Sequence, residues 1–63
     1  MNVKHITNEV LLSFFKSIQD NTPNNILVDM ISQVKDNMQL TFNEATKWIE
    51  RTIKQELVYR LAI

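Results

Sequence analysis

Residues 41–61 read TFNEATKWIERTIKQELVYRL. The opening Thr41-Phe42-Asn43-Glu44 is an S/T-x-x-E capping box: the threonine hydroxyl accepts the N–H three residues on, and the glutamate reaches back to the threonine N–H. After this start, Phe42, Ala45, Ile49, Ile53 and Leu57 fall along one face that drifts slowly around the axis. Glu50 with Lys54, and Glu56 with Arg60, are i,i+4 pairs in the favoured orientation. The stretch predicts one helix over 42–61, with Leu40 and Ala45 as a short hydrophobic staple across its start.

Working back from Leu40, the turn around 37–40 ends a second amphipathic segment. Ile26, Leu27, Met30, Ile31 and Val34 form its apolar face, with Met38 as an extension, while Asn24, Asp29, Gln33 and Asp36 look outward. Pro23 suits a first helical position with Thr22 as its cap, which predicts a helix over 23–37. Proline also disfavours a helical residue before it, so Asp20-Asn21-Thr22-Pro23 ends a first helix over 8–20. Thr7 is the expected cap of that helix and Glu9 sits in its first turn. Val10, Leu11, Phe14, Phe15 and Ile18 make its buried stripe; Leu12 falls outside it. Residues 1–6 read as irregular, with Val3 and Ile6 able to pack on the bundle. There is no glycine to build hairpin turns. The expected fold is a single all-α domain over 1–63: a helix-turn-helix hairpin plus a long C-terminal helix, oligomeric in solution.

The 63-residue length limits stability, because a chain this short buries only about 60% of the surface it exposes when unfolded. No cysteine is present for a disulfide, and His5 is the only histidine, so no structural metal site is expected. Helix packing or self-association is left. Seven basic residues balance seven acidic ones, without the basic excess usual in nucleic-acid binders. No apolar run exceeds three residues, so neither a membrane span nor a secretory leader is read, and a cytoplasmic location is expected.

The residues carry no enzyme signature. Glycine-rich phosphate loops and cysteine nucleophiles are excluded by composition, and a serine triad would have to recruit His5 from the N-terminal tail, where it reads as an exposed residue. Asp29 and Asp36 read as a solvated polar face. No catalytic, cofactor or metal site is expected.

Three readings concern contact with other macromolecules. Leu40-Thr41-Phe42-Asn43-Glu44-Ala45 resembles the opening of helix-turn-helix repressor and excisionase segments, over six residues. That resemblance implies DNA binding, with Lys47, Arg51 and Lys54 (at i, i+4, i+7) as the nucleic-acid contacts. Glu44 and Glu50 flank this strip and dilute it. Ile6-Thr7-Asn8-Glu9-Val10-Leu11-Leu12 followed by Phe14-Phe15-Lys16 resembles the helical hairpin of the sporulation histidine-kinase inhibitor family. This second resemblance covers about half the chain with a one-residue gap, and it implies a small helical protein that binds and blocks a larger enzyme. The remaining signal is the end of the third helix. Trp48 and Tyr59 fall together off the apolar stripe, and only Arg60 is charged between Leu57 and Ile63. At 1.5 Å rise per residue this helix is about 30 Å long, against about 20 and 22 Å for the others, so its end is expected to overhang them by roughly 8–10 Å. Trp48, Leu57, Val58, Tyr59, Leu61 and Ile63 are therefore the expected interface, through which the chain forms a homodimer with Glu56 and Arg60 at its rim. The favoured function is a non-enzymatic regulatory or adaptor protein acting by protein–protein contact, such as a phage or bacterial inhibitor of a larger protein. A DNA-binding regulator and a structural subunit of an assembly are the alternatives.

Overall fold

The computed structural model describes residues 3–62. A 3-10 turn, Val3–His5, precedes three helices: α1, Asn8–Gln19; α2, Asn25–Met38; and α3, Phe42–Leu61. No strand occurs among the described residues. Both α1 and α2 pack on α3, and so does the 3-10 turn, whereas α1 and α2 barely meet. The core accordingly lies along α3. Ala45, Ile49, Ile53 and Leu57 form its spine, with Leu11 and Phe14 from α1, Leu27, Met30 and Ile31 from α2, and Val3 from the turn.

Each helix start has a side-chain cap. Thr7 accepts the Val10 N–H at 3.3 Å. The Thr41 box is complete: its hydroxyl accepts the Glu44 N–H at 3.2 Å, and Glu44 Oε1 accepts the Thr41 N–H at 3.0 Å. Helix α2 starts two residues later than the proline predicts. Asn24 is its cap and accepts the Leu27 N–H at 2.9 Å, while Pro23 stays outside. The Thr22 N–H closes the end of α1 on the Ser17 carbonyl at 2.9 Å, so the backbone at residue 22 still belongs to the end of the first helix. That closure runs through Asn21 in the left-handed region, with φ 54°, where glycine is usual. Gln39 does the same after α2, also at φ 54°, with the Leu40 N–H on the Lys35 carbonyl at 3.0 Å. A chain without glycine thus places two side chains where a Cβ is disfavoured, at about 1 kcal/mol or more each.

Three residues expected in the core are exposed: Val10, Ile26 and Phe42. Since α1 and α2 do not cover one another, each is buried only along the line that meets α3, and the flanks of its stripe remain open. Phe42, in the first turn of α3, precedes the buried spine, which steps by four from Ala45 and so turns about 40° at each step. Met38 at the end of α2 is also exposed.

The end of α3 differs most from expectation. Leu57 is a core residue, only 6% exposed, not an interface residue. Only the Leu57 side of the expected overhang is covered, by residues 3–8, which form a 3-10 turn and the start of α1; Val58, Tyr59 and Leu61 stay exposed. Arg60 holds the covering segment. Its Nε donates to Glu56 Oε1 at 3.2 Å; Nη1 donates to the Ile6 carbonyl and to Asn8 Oδ1 at 2.8 Å; Nη2 donates to the Val3 and Lys4 carbonyls at 3.1 and 3.0 Å. Five bonds match the five N–H donors of a guanidinium. Glu56 and Arg60 side chains are each only 16% exposed, so this pair is an internal clamp and not the rim of a dimer.

The capping box offers a direct check. Thr41→Ala should cost about 1 kcal/mol, lowering Tm by roughly 4–8 °C in a domain of this size. The Thr41 N–H, and secondarily its hydroxyl, hold the Glu44 carboxyl below its ordinary range. A depressed carboxyl stabilises the fold above its unfolded pKa and loses that contribution as pH falls through its folded value. Glu44→Gln should therefore flatten part of the acid side of a Tm-versus-pH curve. Unchanged melting of Thr41→Ala, together with an unchanged acid slope, would contradict this start to α3.

Candidate interaction face

Burial of Ala45, Ile49, Ile53 and Leu57 turns the opposite side of α3 outward. Lys47, Trp48, Arg51, Lys54, Gln55, Val58 and Tyr59 are all exposed there. The hydroxyls of Thr46 and Thr52 turn back onto the carbonyls of Phe42 and Trp48 at 2.8 and 2.9 Å. Such i−4 bonding satisfies them within the helix, leaving the long cationic and aromatic side chains as the face's outward chemistry.

Arg51 is the centre of this face. It borders a depression of about 530 Å³ with Lys54, Gln55, Val58 and Tyr59. It borders a second, of about 440 Å³, with Lys47, Glu50 and Lys54, and a third, of about 280 Å³, with Trp48, Thr52 and Gln55. Tyr59 stands 66% exposed, and Leu61 is exposed beyond it. On the other side of Trp48 runs a groove of about 430 Å³ between α2 and α3. Met30, Val34 and Ile49 lie in it, Met38 and Trp48 stand at its sides, and Val3 enters from the N-terminal turn. Trp48 and Thr52 border both the groove and the Arg51 face, so the two are continuous.

The structure brings together Lys47, Arg51 and Lys54, the expected nucleic-acid contacts, with Trp48, Val58 and Tyr59, from the expected protein interface. Leu57 is removed from that set by burial, and Ile63 lies outside the described residues. The groove between α2 and α3 is not marked by periodicity within either helix. Its one signal in the sequence is Met38, an apolar residue beyond the last turn of the α2 stripe.

The electrostatics differ from the simple count. The Glu44 carboxylate is engaged at the Thr41 cap, and Glu56 is paired with Arg60. Among the described residues no ion pair holds Lys47, Arg51 or Lys54. Glu50 borders them and Glu44 stands one turn before Lys47, so three cations face two carboxylates and the face keeps a positive excess on a chain of zero net charge. His5 is exposed in the 3-10 turn, Asp29 and Asp36 are exposed on α2, and none of the three borders the depressions described above. No cluster of three or more potential metal ligands occurs among the described residues. No helix there is long and apolar enough to cross a membrane. In comparisons with protein-family models, curated proteins and solved structures, this chain matches none.

Proposed function

We propose that this chain is a small cytoplasmic, non-enzymatic regulator or adaptor that works by binding a protein, in the manner of phage or bacterial inhibitors of larger proteins. The observation that carries the reading is the outward face of α3, where Trp48 and Tyr59 flank Arg51 over shallow depressions. Tryptophan, tyrosine and arginine are the side chains most enriched at binding hot spots. Contiguous exposed apolar surface on a small protein usually marks a contact. Affinity capture from cells tests the reading. Wild type should retain a partner that a Trp48→Ser/Tyr59→Ser variant of unchanged melting temperature loses. Identical protein sets on both baits would contradict it.

The exposed cations favour nucleic acid as a second reading, but three of them in a neutral chain supply little counterion release. Duplex DNA should bind weakly and without sequence preference at about 150 mM salt. A sequence-specific Kd in the nanomolar range, typical of dedicated regulators, would reverse the order of the two readings.

Homodimerisation is a further proposal for the same helix. Val58, Tyr59 and Leu61 remain exposed for it, although Leu57 does not. Sedimentation equilibrium at about 100 μM, where a micromolar dimer would be populated, should show a dimer that Leu61→Glu dissociates. A clean monomer would leave the face to other partners.

A further inference from the structure

We infer that the Arg51-centred face of α3 takes an acidic, amphipathic protein segment, with carboxylates set against Lys47, Arg51 and Lys54 and an apolar side chain seated beside Tyr59. The inference deepens the protein-contact reading above and rests on it. Its ground is charge complementarity combined with shape. Lys47, Arg51 and Lys54 carry no ion pair among the described residues, and they outnumber Glu44 and Glu50, the carboxylates that flank them. Three unpaired cations would repel a basic partner. They reward an acidic one with steering and register.

The same side chains narrow the class of partner. The largest depression on the face has Arg51 and Lys54 on its polar edge, with Val58 and Tyr59 beside them. Duplex DNA, with its bases stacked inside, would meet such a site with a phosphodiester backbone that has no large apolar group to fill it. An amphipathic peptide presents an aliphatic or aromatic anchor and a carboxylate one turn apart, which matches the spacing of Lys54 and Val58 on α3. An anionic membrane surface would also meet cations and apolar groups, but it offers no side chain shaped for a depression. A second copy of the chain would have to bring its own carboxylates.

A displayed library of random peptides of about 16 residues, roughly four helical turns, tests this on the full chain. Selected peptides should carry a net negative charge with apolar residues at helical spacing. Synthesised and labelled, they should bind wild type at least roughly tenfold more tightly than Arg51→Glu/Lys54→Glu, as loss of matched charge predicts, and should weaken at higher salt. Lys54→Glu alone provides a milder reversal, and unchanged circular dichroism melting confirms that both variants fold. Neutral or basic peptides that still depend on Tyr59 would overturn the acidic partner and leave the protein-contact reading standing. Peptides indifferent to Tyr59→Ser and to the charge reversals, or no binders at all, would overturn both. Tighter binding to duplex DNA or to vesicles containing phosphatidylserine, or a dimer dissociated by Arg51→Glu, would assign the face to another occupant.

Discussion

Phe14→Ala should remove a large share of the chain's stability and lower its Tm sharply. Phe14 is among the largest fully buried side chains, and it packs from α1 into the core along α3. Truncating a buried phenylalanine costs about 3–5 kcal/mol, from lost transfer energy and the cavity left behind. At 0.05–0.15 kcal/mol per residue, a chain of this length has about 3–9 kcal/mol in total. Because α1 is tied to the rest mainly through α3, no second interface is available to absorb the loss. The matched control is Leu12→Ala two residues earlier, where the side chain is exposed. That change should stay within about 0.5 kcal/mol of wild type. Thermal melts followed by circular dichroism separate the two; similar melts would mean that α1 does not pack on α3 along this face.

Arg60→Ala should also be clearly destabilising, in spite of being a substitution of a charged residue near the end of a helix. It removes five hydrogen bonds and leaves the Glu56 carboxylate partly buried without its cation. Charged hydrogen bonds contribute about 1.5–3 kcal/mol when singly deleted, but the carbonyls released at residues 3–6 can rehydrate. The expected net loss is about 2–3 kcal/mol, below the 3–5 typical of a fully buried pair. Arg60→Lys keeps the charge and lacks the planar fork, so it should recover only a small part. Hydrogen exchange gives the specific signature: amides of residues 3–8 lose protection in both variants, while those in the middle of α2 follow global stability. Retained protection at residues 3–8 in Arg60→Ala would mean that Val3 packing alone holds the turn.

Local chemistry made much of this fold legible. Thr7, the Thr41–Glu44 box and the apolar spine from Ala45 to Leu57 are written at separations of three or four residues, which a linear reading captures. Helix α2 starts two residues after Pro23 because the closure of α1 extends to the Thr22 N–H and the Asn24 side chain, not that of Thr22, takes the cap. The exposure of Val10 and Ile26 followed from how little α1 and α2 touch, which periodicity within either helix does not encode. For the candidate face, Lys47, Trp48, Arg51, Lys54, Val58 and Tyr59 were all identifiable from the wheel. Their merger into one surface depends on the depressions that share Arg51 as a common border. Arg60 was read with its neighbour Glu56 alone, because its other partners lie 52–57 positions away.

That separation has a kinetic consequence. The α2–α3 turn closes a short loop, whereas the guanidinium contacts close one of more than fifty residues, and longer loops cost more entropy before any contact rewards them. The clamp should therefore form on the native side of the folding barrier. Interactions absent from the transition state act on escape from the native basin, not on the search for it. In stopped-flow experiments Arg60→Ala should accelerate unfolding and leave the refolding limb of the chevron in place, so the guanidinium governs how long each folded molecule lasts more than how fast it is made.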